Sequence, residues 1–118
     1  MMLVLLAAAA AACTTQRVYP GPGLPAAERA IVHADPAVSA GLPVQLRLRQ
    51  ADGQKVSLHA STVELPAGRH SLLVDCRVQE SGVTSRFVVE ADLEAGGSYR
   101  LVAQASARNC EAVELLRQ

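Results

Sequence analysis

Apolar and polar residues alternate along much of the chain, and this period of two predicts β-strands. The clearest strand follows a turn at residues 66–68, where Pro66 presets φ and Gly68 can adopt a positive φ. Apolar side chains then occupy every second position over residues 72–78, with Leu73, Asp75 and Arg77 between them. A half-buried strand of this length is expected in the middle of a sheet.

The same alternation predicts strands over residues 44–49, 84–93 and 99–105. Shorter β-branched or apolar runs predict strands at 29–34, 61–65 and 110–116. Residues 26–34 are also compatible with a helix on propensity alone, and a short helix is the alternative for residues 110–116.

A hairpin is predicted at Asp52–Gly53, because the Asp-Gly pair is a strong turn signal. Residues 56–59 would form its return arm. Six or seven short strands, spaced roughly ten residues apart with a turn signal at each break, predict an all-β fold. We therefore expect a small antiparallel β-sandwich over residues 26–118, with a small barrel as the alternative.

The first twelve residues contain no charge and end in a run of alanines before Cys13. Twelve apolar residues are too few to span a bilayer, which needs roughly 20. They fit the apolar region of a signal peptide, in which small residues precede the cleavage point. A buried hydrophobic helix that ends in an ordinary cysteine is the alternative.

The Ala-Ala-Cys sequence at residues 11–13 resembles the lipobox of bacterial lipoproteins. The resemblance implies cleavage before Cys13, acylation of its thiol and a stable membrane anchor of two or three acyl chains. Residues 1–12 would then be a lipoprotein signal peptide. Thr14 replaces the aspartate that resembles an inner-membrane retention signal, which favours the periplasmic face of the outer membrane.

Residues 13–25 are interpreted as the lipidated cysteine and a tether, since three prolines and two glycines between residues 20 and 25 exclude a helix or a central strand. The segment from Tyr19 to Pro25 resembles a Tyr-x-Gly-Pro-x-Leu-Pro segment of small Gram-negative lipoproteins of unknown function. Tyr19 and Leu24 either dock on a partner or pack back on their own domain.

Two further segments resemble PEGA-like and transthyretin-like β-sandwich modules. Residues 65–74 carry a Leu-Pro-x-Gly-x-His-x-Leu-x-Val pattern, and residues 93–101 carry a Leu-x-Ala-Gly-x-x-Tyr-x-Leu pattern. The resemblance implies a β-sandwich and an envelope location, and it implies no enzyme activity and no site residues.

Charge and aromatic content argue against nucleic acid as a partner. Eleven basic and eleven acidic side chains give a formal net charge of zero, so no overall field attracts an acidic polymer. The aromatic residues are only Tyr19, Phe87 and Tyr99, too few for the stacking platforms of single-strand binding.

If Cys13 is lipidated, Cys76 and Cys110 remain. Compartments outside the cytoplasm are oxidising, so we expect a Cys76–Cys110 disulfide. Two free buried thiols are the alternative.

No constellation for catalysis, metal binding or a cofactor is evident, and we expect none. His33, His59 and His70 are scattered and lack metal-ligand spacing. His70 is expected to be a partly buried structural residue. The serines lack a nucleophile-elbow context. Three acidic residues are expected on outward faces in cross-strand ion pairs with Arg77 and Arg86: Asp75, Glu90 and Asp92.

These observations predict a lipid-anchored periplasmic lipoprotein that acts as a non-enzymatic structural or protein-binding module of the cell envelope. An exposed sheet edge could recruit a partner strand. The alternative is a small-molecule or carbohydrate-binding lipoprotein, which would need a pocket with convergent polar groups.

Overall fold

A computed structural model describes residues 14–34, 37–39, 42–57 and 60–118, so Cys13, His59 and the expected leader lie outside the described residues. The described chain is all-β and folds into two packed sheets, which confirms the predicted sandwich. Ten strands are present: β1 (Thr14–Arg17), β2 (Arg29–His33), β3 (Ala37–Ser39), β4 (Leu42–Ala51), β5 (Gln54–Lys55), β6 (Ala60–Pro66), β7 (Gly68–Val78), β8 (Thr84–Leu93), β9 (Ser98–Ala105) and β10 (Cys110–Arg117).

The first sheet has the order β1-β6-β2-β9-β10, and the second has the order β3-β4-β7-β8 with β5 paired to β4. Every pair in the second sheet is antiparallel, as expected. The first sheet is mixed, because β1 pairs with β6 and β2 pairs with β9 in parallel. Parallel neighbours need a long connection, and here the chain passes through the second sheet between β2 and β9.

The strand β7 lies between β4 and β8, so its predicted central position is confirmed. Gly68 begins it with a φ of 127°, a conformation that an L side chain rarely adopts. The alternating apolar residues of β7 all point into the core and are fully buried: Leu72, Val74, Cys76 and Val78. The pattern of apolar residues therefore determines which face of β7 packs between the sheets.

The predicted hairpin is present between β4 and β5, and both turn residues have positive φ, 50° at Asp52 and 78° at Gly53. A two-residue turn of this kind matches the twist of the flanking strands. Its return arm is Gln54–Lys55, and not residues 56–59 as expected. Val56 is buried in the core after the short strand, and residues 58–59 lie outside the described chain.

The structure differs from the tether expected over residues 13–25. Thr14–Arg17 forms the edge strand β1 beside β6, and Val18 is buried. The Val18 amide donates to the carbonyl of Glu64, and the Leu24 amide donates to the hydroxyl of Tyr19. Tyr19 and Leu24 are both half-buried, so this segment packs on its own domain.

The two segments whose sequence was compatible with either a helix or a strand both form strands, β2 and β10. β2 is inserted between β6 and β9, where Ala30 and Val32 are fully buried and its backbone pairs on both sides. β10 pairs with β9 as a hairpin closed by residues 106–109. Pairing with neighbouring strands satisfies the backbone of both segments and overrides their helix propensity.

The core between the sheets is built mainly from Val, Leu and Ala, as the scarcity of aromatic residues requires. Tyr99 is its one buried aromatic side chain among the described residues, and its hydroxyl accepts a hydrogen bond from the Glu94 amide at 2.8 Å. Within the described ranges, the chain has no helix of the length and hydrophobicity that crossing a membrane requires.

Candidate functional site

Cys76 and Cys110 form a disulfide that joins the two sheets. Cys76 lies in β7 and Cys110 begins β10, with their Cα atoms 6.1 Å apart and a sequence separation of 34 residues. Both residues are buried, and the distance between their Cα atoms is within the ordinary range for a disulfide. The bond fixes β10 beside the second sheet at the end of β9.

β8 and β10 are the edge strands on one side of the two sheets, and they approach each other without pairing. We call the space between them the seam. Each lacks a strand partner on its outer edge within the part of the chain that the structure describes. A groove of about 450 Å³ runs along the seam. Core residues therefore fill the centre of the sandwich, and a groove remains along this side.

Apolar side chains from both strands line the interior of the seam. Phe87 and Val89 of β8 point inward, because they are paired with the inward residues Val74 and Leu72 of β7. They remain half-buried, although their neighbours in β7 are fully buried. From β10, Val113 and Leu115 are half-buried against the same core. The seam thus offers partly covered apolar surface between two free strand edges.

A second surface lies on the outer face of the second sheet. Here Asp75 of β7 stands opposite Arg47 of β4 and Arg86 of β8 in the sheet register. Arg49 and Arg77 lie on the same face, and a groove of about 210 Å³ is lined by three of these arginines together with Asp75. We call the four arginines around Asp75 the arginine cluster: Arg47, Arg49, Arg77 and Arg86.

Asp75 holds two members of the arginine cluster. Arg86 donates two hydrogen bonds to its carboxylate, at 2.8 and 3.3 Å, and the Arg49 Nε lies 3.7 Å from it. The hydrogen bond and the charge of Asp75 raise the pKa of Arg86. The ion pair with Arg86 was expected. Arg77, expected as a partner, makes none with a described carboxylate, whereas Arg49 does.

His70 is buried, as predicted, and both of its ring nitrogens have partners. Its Nδ1 lies 2.5 Å from Oδ2 of Asp52, and its Nε2 lies 2.7 Å from the carbonyl oxygen of Pro66. The Ser71 amide donates to the other Asp52 oxygen at 2.8 Å. A carboxylate oxygen and a backbone carbonyl oxygen of the domain therefore face the two ring nitrogens.

The same contacts set the protonation of Asp52. Partial burial raises the pKa of its carboxyl group. The hydrogen bond to His70, the Ser71 amide and the charge of His70 together outweigh burial, so the pKa lies below the ordinary value of 3.8. Asp52 is therefore a carboxylate at neutral pH.

The remaining candidate residues have local structural partners. His33 ends β2, with its ring nitrogens 3.3 Å from the Ser98 hydroxyl and 3.4 Å from the Thr62 hydroxyl. Glu90 and Asp92 lie on the outward face of β8, as their alternation predicts, but their ion-pair partner is Arg69 and not Arg77 or Arg86 as expected. Among the described residues, no group of three His, Cys, Asp or Glu side chains could hold a metal ion.

Comparison with protein-family models, curated proteins and solved structures gave no match in any of the three cases. The resemblance to lipoproteins and to PEGA-like or transthyretin-like modules therefore stays a prediction. What the structure defines is a small β-sandwich with a disulfide between its sheets, an open seam and a basic outer face.

Sequence reasoning missed the seam and the link between Asp52 and His70. The seam depends on which strands end the two sheets, and this order is set by contacts distant in the sequence. A weak signal did exist for the arginine cluster, because Arg47 and Arg49 alternate with core residues along β4 and therefore share its outward face.

Proposed function

We propose that this protein is a non-enzymatic module of the bacterial cell envelope that binds an extended segment of a partner protein along β8. It would be held by acyl chains on Cys13 at the periplasmic face of the outer membrane. The observation that carries the binding proposal is the free edge of β8 beside a seam lined by half-buried Phe87 and Val89.

An added strand would satisfy both features of the seam. The backbone amides and carbonyls on the outer edge of β8 would pair with it, and its alternate side chains would enter the groove. There they would cover Val89 from one side and Leu115 from the other. We therefore expect a partner segment in extended conformation, with apolar residues at every second position.

The position of β1 is compatible with this role. β1 and β10 are the two opposite edges of the first sheet, so the seam lies on the side of the sandwich away from β1. Cys13 directly precedes β1 in the sequence. A membrane anchor at Cys13 would thus attach the domain by one side and leave the seam accessible on the other.

The disulfide between Cys76 and Cys110 supports the compartment, since such bonds persist in oxidising environments such as the periplasm. The apolar leader and the Ala-Ala-Cys sequence support the anchor. These two observations are independent, because the disulfide does not involve Cys13.

Site-specific photo-crosslinking in Gram-negative cells tests the binding proposal. A photoreactive residue is placed at Val89, which faces the seam, or at its neighbour Val88, which faces outward and is 64% exposed. We expect cross-links from position 89 to one extended segment of an envelope protein, and few from position 88. Equal cross-linking from both positions, or none from position 89, contradicts the proposal.

A matched pair of substitutions gives a second test. With the photoreactive residue moved across the seam to Leu115, Val89→Lys places a charge in the groove, whereas Val88→Lys places it on the outer face. We expect V89K to abolish the cross-link and V88K to retain it. A cross-linked product of two copies of this chain would show self-association and overturn the proposed partner.

A further inference from the structure

We propose that the arginine cluster binds the phosphate groups of an anionic lipid surface, so that the outer face of the second sheet rests on the membrane. This site is separate from the seam and takes a different class of ligand. The charge of the face, the geometry around Asp75 and the neighbouring apolar residues carry the proposal, and none of them depends on strand recruitment.

The charge of this face is not dictated by composition, because the whole chain has a formal net charge of zero. In the arginine cluster, four guanidinium groups surround one carboxylate, which leaves a local excess of three positive charges. Within the described residues, Arg47 and Arg77 have no carboxylate within 4 Å, although Arg47 stands opposite Asp75 in the register. The unpaired charges are complementary to an anionic ligand.

Asp75 orders the cluster for oxyanion binding. Its side chain is only 16% exposed, and it holds Arg86 through two hydrogen bonds and Arg49 through an ion pair. Guanidinium groups present paired N–H donors that match the oxygens of a phosphate, and fixing them beforehand lowers the entropy lost on binding. The adjoining groove also presents the amide of Gln45 and the hydroxyl of Thr84 as polar contacts.

Apolar side chains next to the cluster favour an amphiphile over a free anion. Leu73 and Val88 are direct cross-strand partners on the same outer face, one row along from Asp75 and Arg86. Val88 is the most exposed large apolar residue among the described residues. A second groove of about 380 Å³ joins Leu73 to the cluster and to Lys55. Phosphate on one side and apolar surface on the other is the chemistry of a lipid headgroup region.

The position of Lys55 also allows the face to reach the membrane, a step that rests on the proposed anchor. The Gln16 side chain donates to the Lys55 carbonyl at 3.1 Å and accepts from the Ser57 amide at 2.6 Å. Gln16 lies three residues after Cys13, a length of at most about 11 Å of extended chain. The end of the basic face at Lys55 therefore lies close to the expected acyl chains.

The test uses the full chain in neutral maltoside micelles, with NMR detection of the arginine Nε–H signals. Three soluble probes are titrated: dihexanoylphosphatidylglycerol, dihexanoylphosphatidylcholine and inorganic phosphate. We expect saturable shifts of the Arg47 and Arg77 signals with the glycerol lipid, and no comparable response to the choline lipid or to phosphate at the same concentration.

Matched variants identify the residues responsible. The double variant Arg47→Gln/Arg77→Gln should lower affinity for the glycerol lipid about 30-fold, since each basic residue near a lipid surface contributes a factor of about five. Arg69→Gln is the control, because Arg69 lies on the same face but beside Glu90 and Asp92. Unperturbed signals of Tyr99 and the core in each variant establish that it is folded.

Three outcomes overturn the proposal. Equal binding of the choline and glycerol lipids would remove the role of charge. Equal losses in R69Q and in the double variant would show a general effect of net charge. Binding of inorganic phosphate as tight as that of the lipid would assign the cluster to a free anion. The strand-binding proposal survives each of these results, because the seam residues take no part in the titration.

Discussion

The Asp52 carboxylate holds the buried His70 ring from the turn between β4 and β5, with Oδ2 of Asp52 2.5 Å from Nδ1 of His70. The other ring nitrogen faces the carbonyl oxygen of Pro66 at 2.7 Å. The two contacts occupy both nitrogens of the ring. His70 thus connects the hairpin turn at Asp52 to Pro66, where the chain passes from β6 to β7.

A pH dependence of stability follows from Asp52. The pKa of its carboxyl group is lowered in the folded state, so its stabilising contribution is complete above the ordinary pKa of 3.8 and is lost as pH falls through the folded pKa. We expect Asp52→Asn to reduce the unfolding free energy at pH 6 and to weaken its decline below about pH 4. Urea unfolding at a series of pH values measures both.

Asparagine is the appropriate replacement because it tolerates the positive φ of 50° at this position. Asp92→Asn is the control, since Asp92 is an exposed carboxylate beside Arg69 on the outer face. Identical pH profiles for D52N and the unsubstituted protein would show that the contact with His70 does not contribute.

Reduction of the disulfide should destabilise the protein strongly. The bond closes a loop with a sequence separation of 34 residues, which the chain-entropy model converts to about 4 kcal/mol. We expect Cys76→Ala/Cys110→Ala to lose about this amount in urea unfolding without reductant. Cys13→Ser is the control and should leave the midpoint unchanged. A double variant as stable as the oxidised protein would contradict the role of this bond.

Side-chain truncations at the centre of the core and at the seam should lower the free energy of unfolding by different amounts. Leu72→Ala removes a fully buried side chain from β7 and should cost about 2–5 kcal/mol. Phe87→Ala removes a larger side chain, but one that is half-buried at the open seam, so we expect a cost below that of L72A. Equilibrium unfolding compares them. A greater loss in F87A would show that the seam is closed in solution.

Gly97 should not accept a side chain. A Cβ atom there would lie 2.7 Å from Cε2 of Tyr99, closer than real Cβ contacts allow, and 3.0 Å from the carbonyl oxygen of Glu94, which is a tight contact. We expect Gly97→Ala to lower the free energy of unfolding by about 1–3 kcal/mol, the range observed when a side chain is forced into a packed core. Gly23→Ala is the control, because its Cβ would meet only the flexible end of Arg17. Equal thermal midpoints for the two variants would contradict this packing.

The alternation of apolar and polar residues was sufficient to predict β7, β8 and the inward rows of both. The prediction succeeds there because only one face of each strand is buried, so apolar residues occupy every second position. It could not predict β1, whose four residues have no apolar alternation and are held in place by pairing with β6. β3 has only three residues and is likewise held by pairing, in its case with β4.

The candidate surfaces were less predictable than the strands. Asp-Gly predicted the turn at residues 52–53, yet nothing local indicated that Asp52 reaches His70, which lies 18 residues further along. The seam depends on the pairing of β2 with β9, which brings together residues more than 60 positions apart and sets which strands are edges. Local sequence patterns do not indicate which distant strands pair.

The proposed function requires a disulfide-bonded sandwich outside the cytoplasm on a lipid anchor. The most direct test is the intact mass of the protein extracted from membranes without reductant, measured before and after reduction. We predict a chain that begins at Cys13, carries the mass of two or three acyl chains and gains two hydrogens on reduction. An unmodified chain that retains Met1, with no change of mass on reduction, would contradict it.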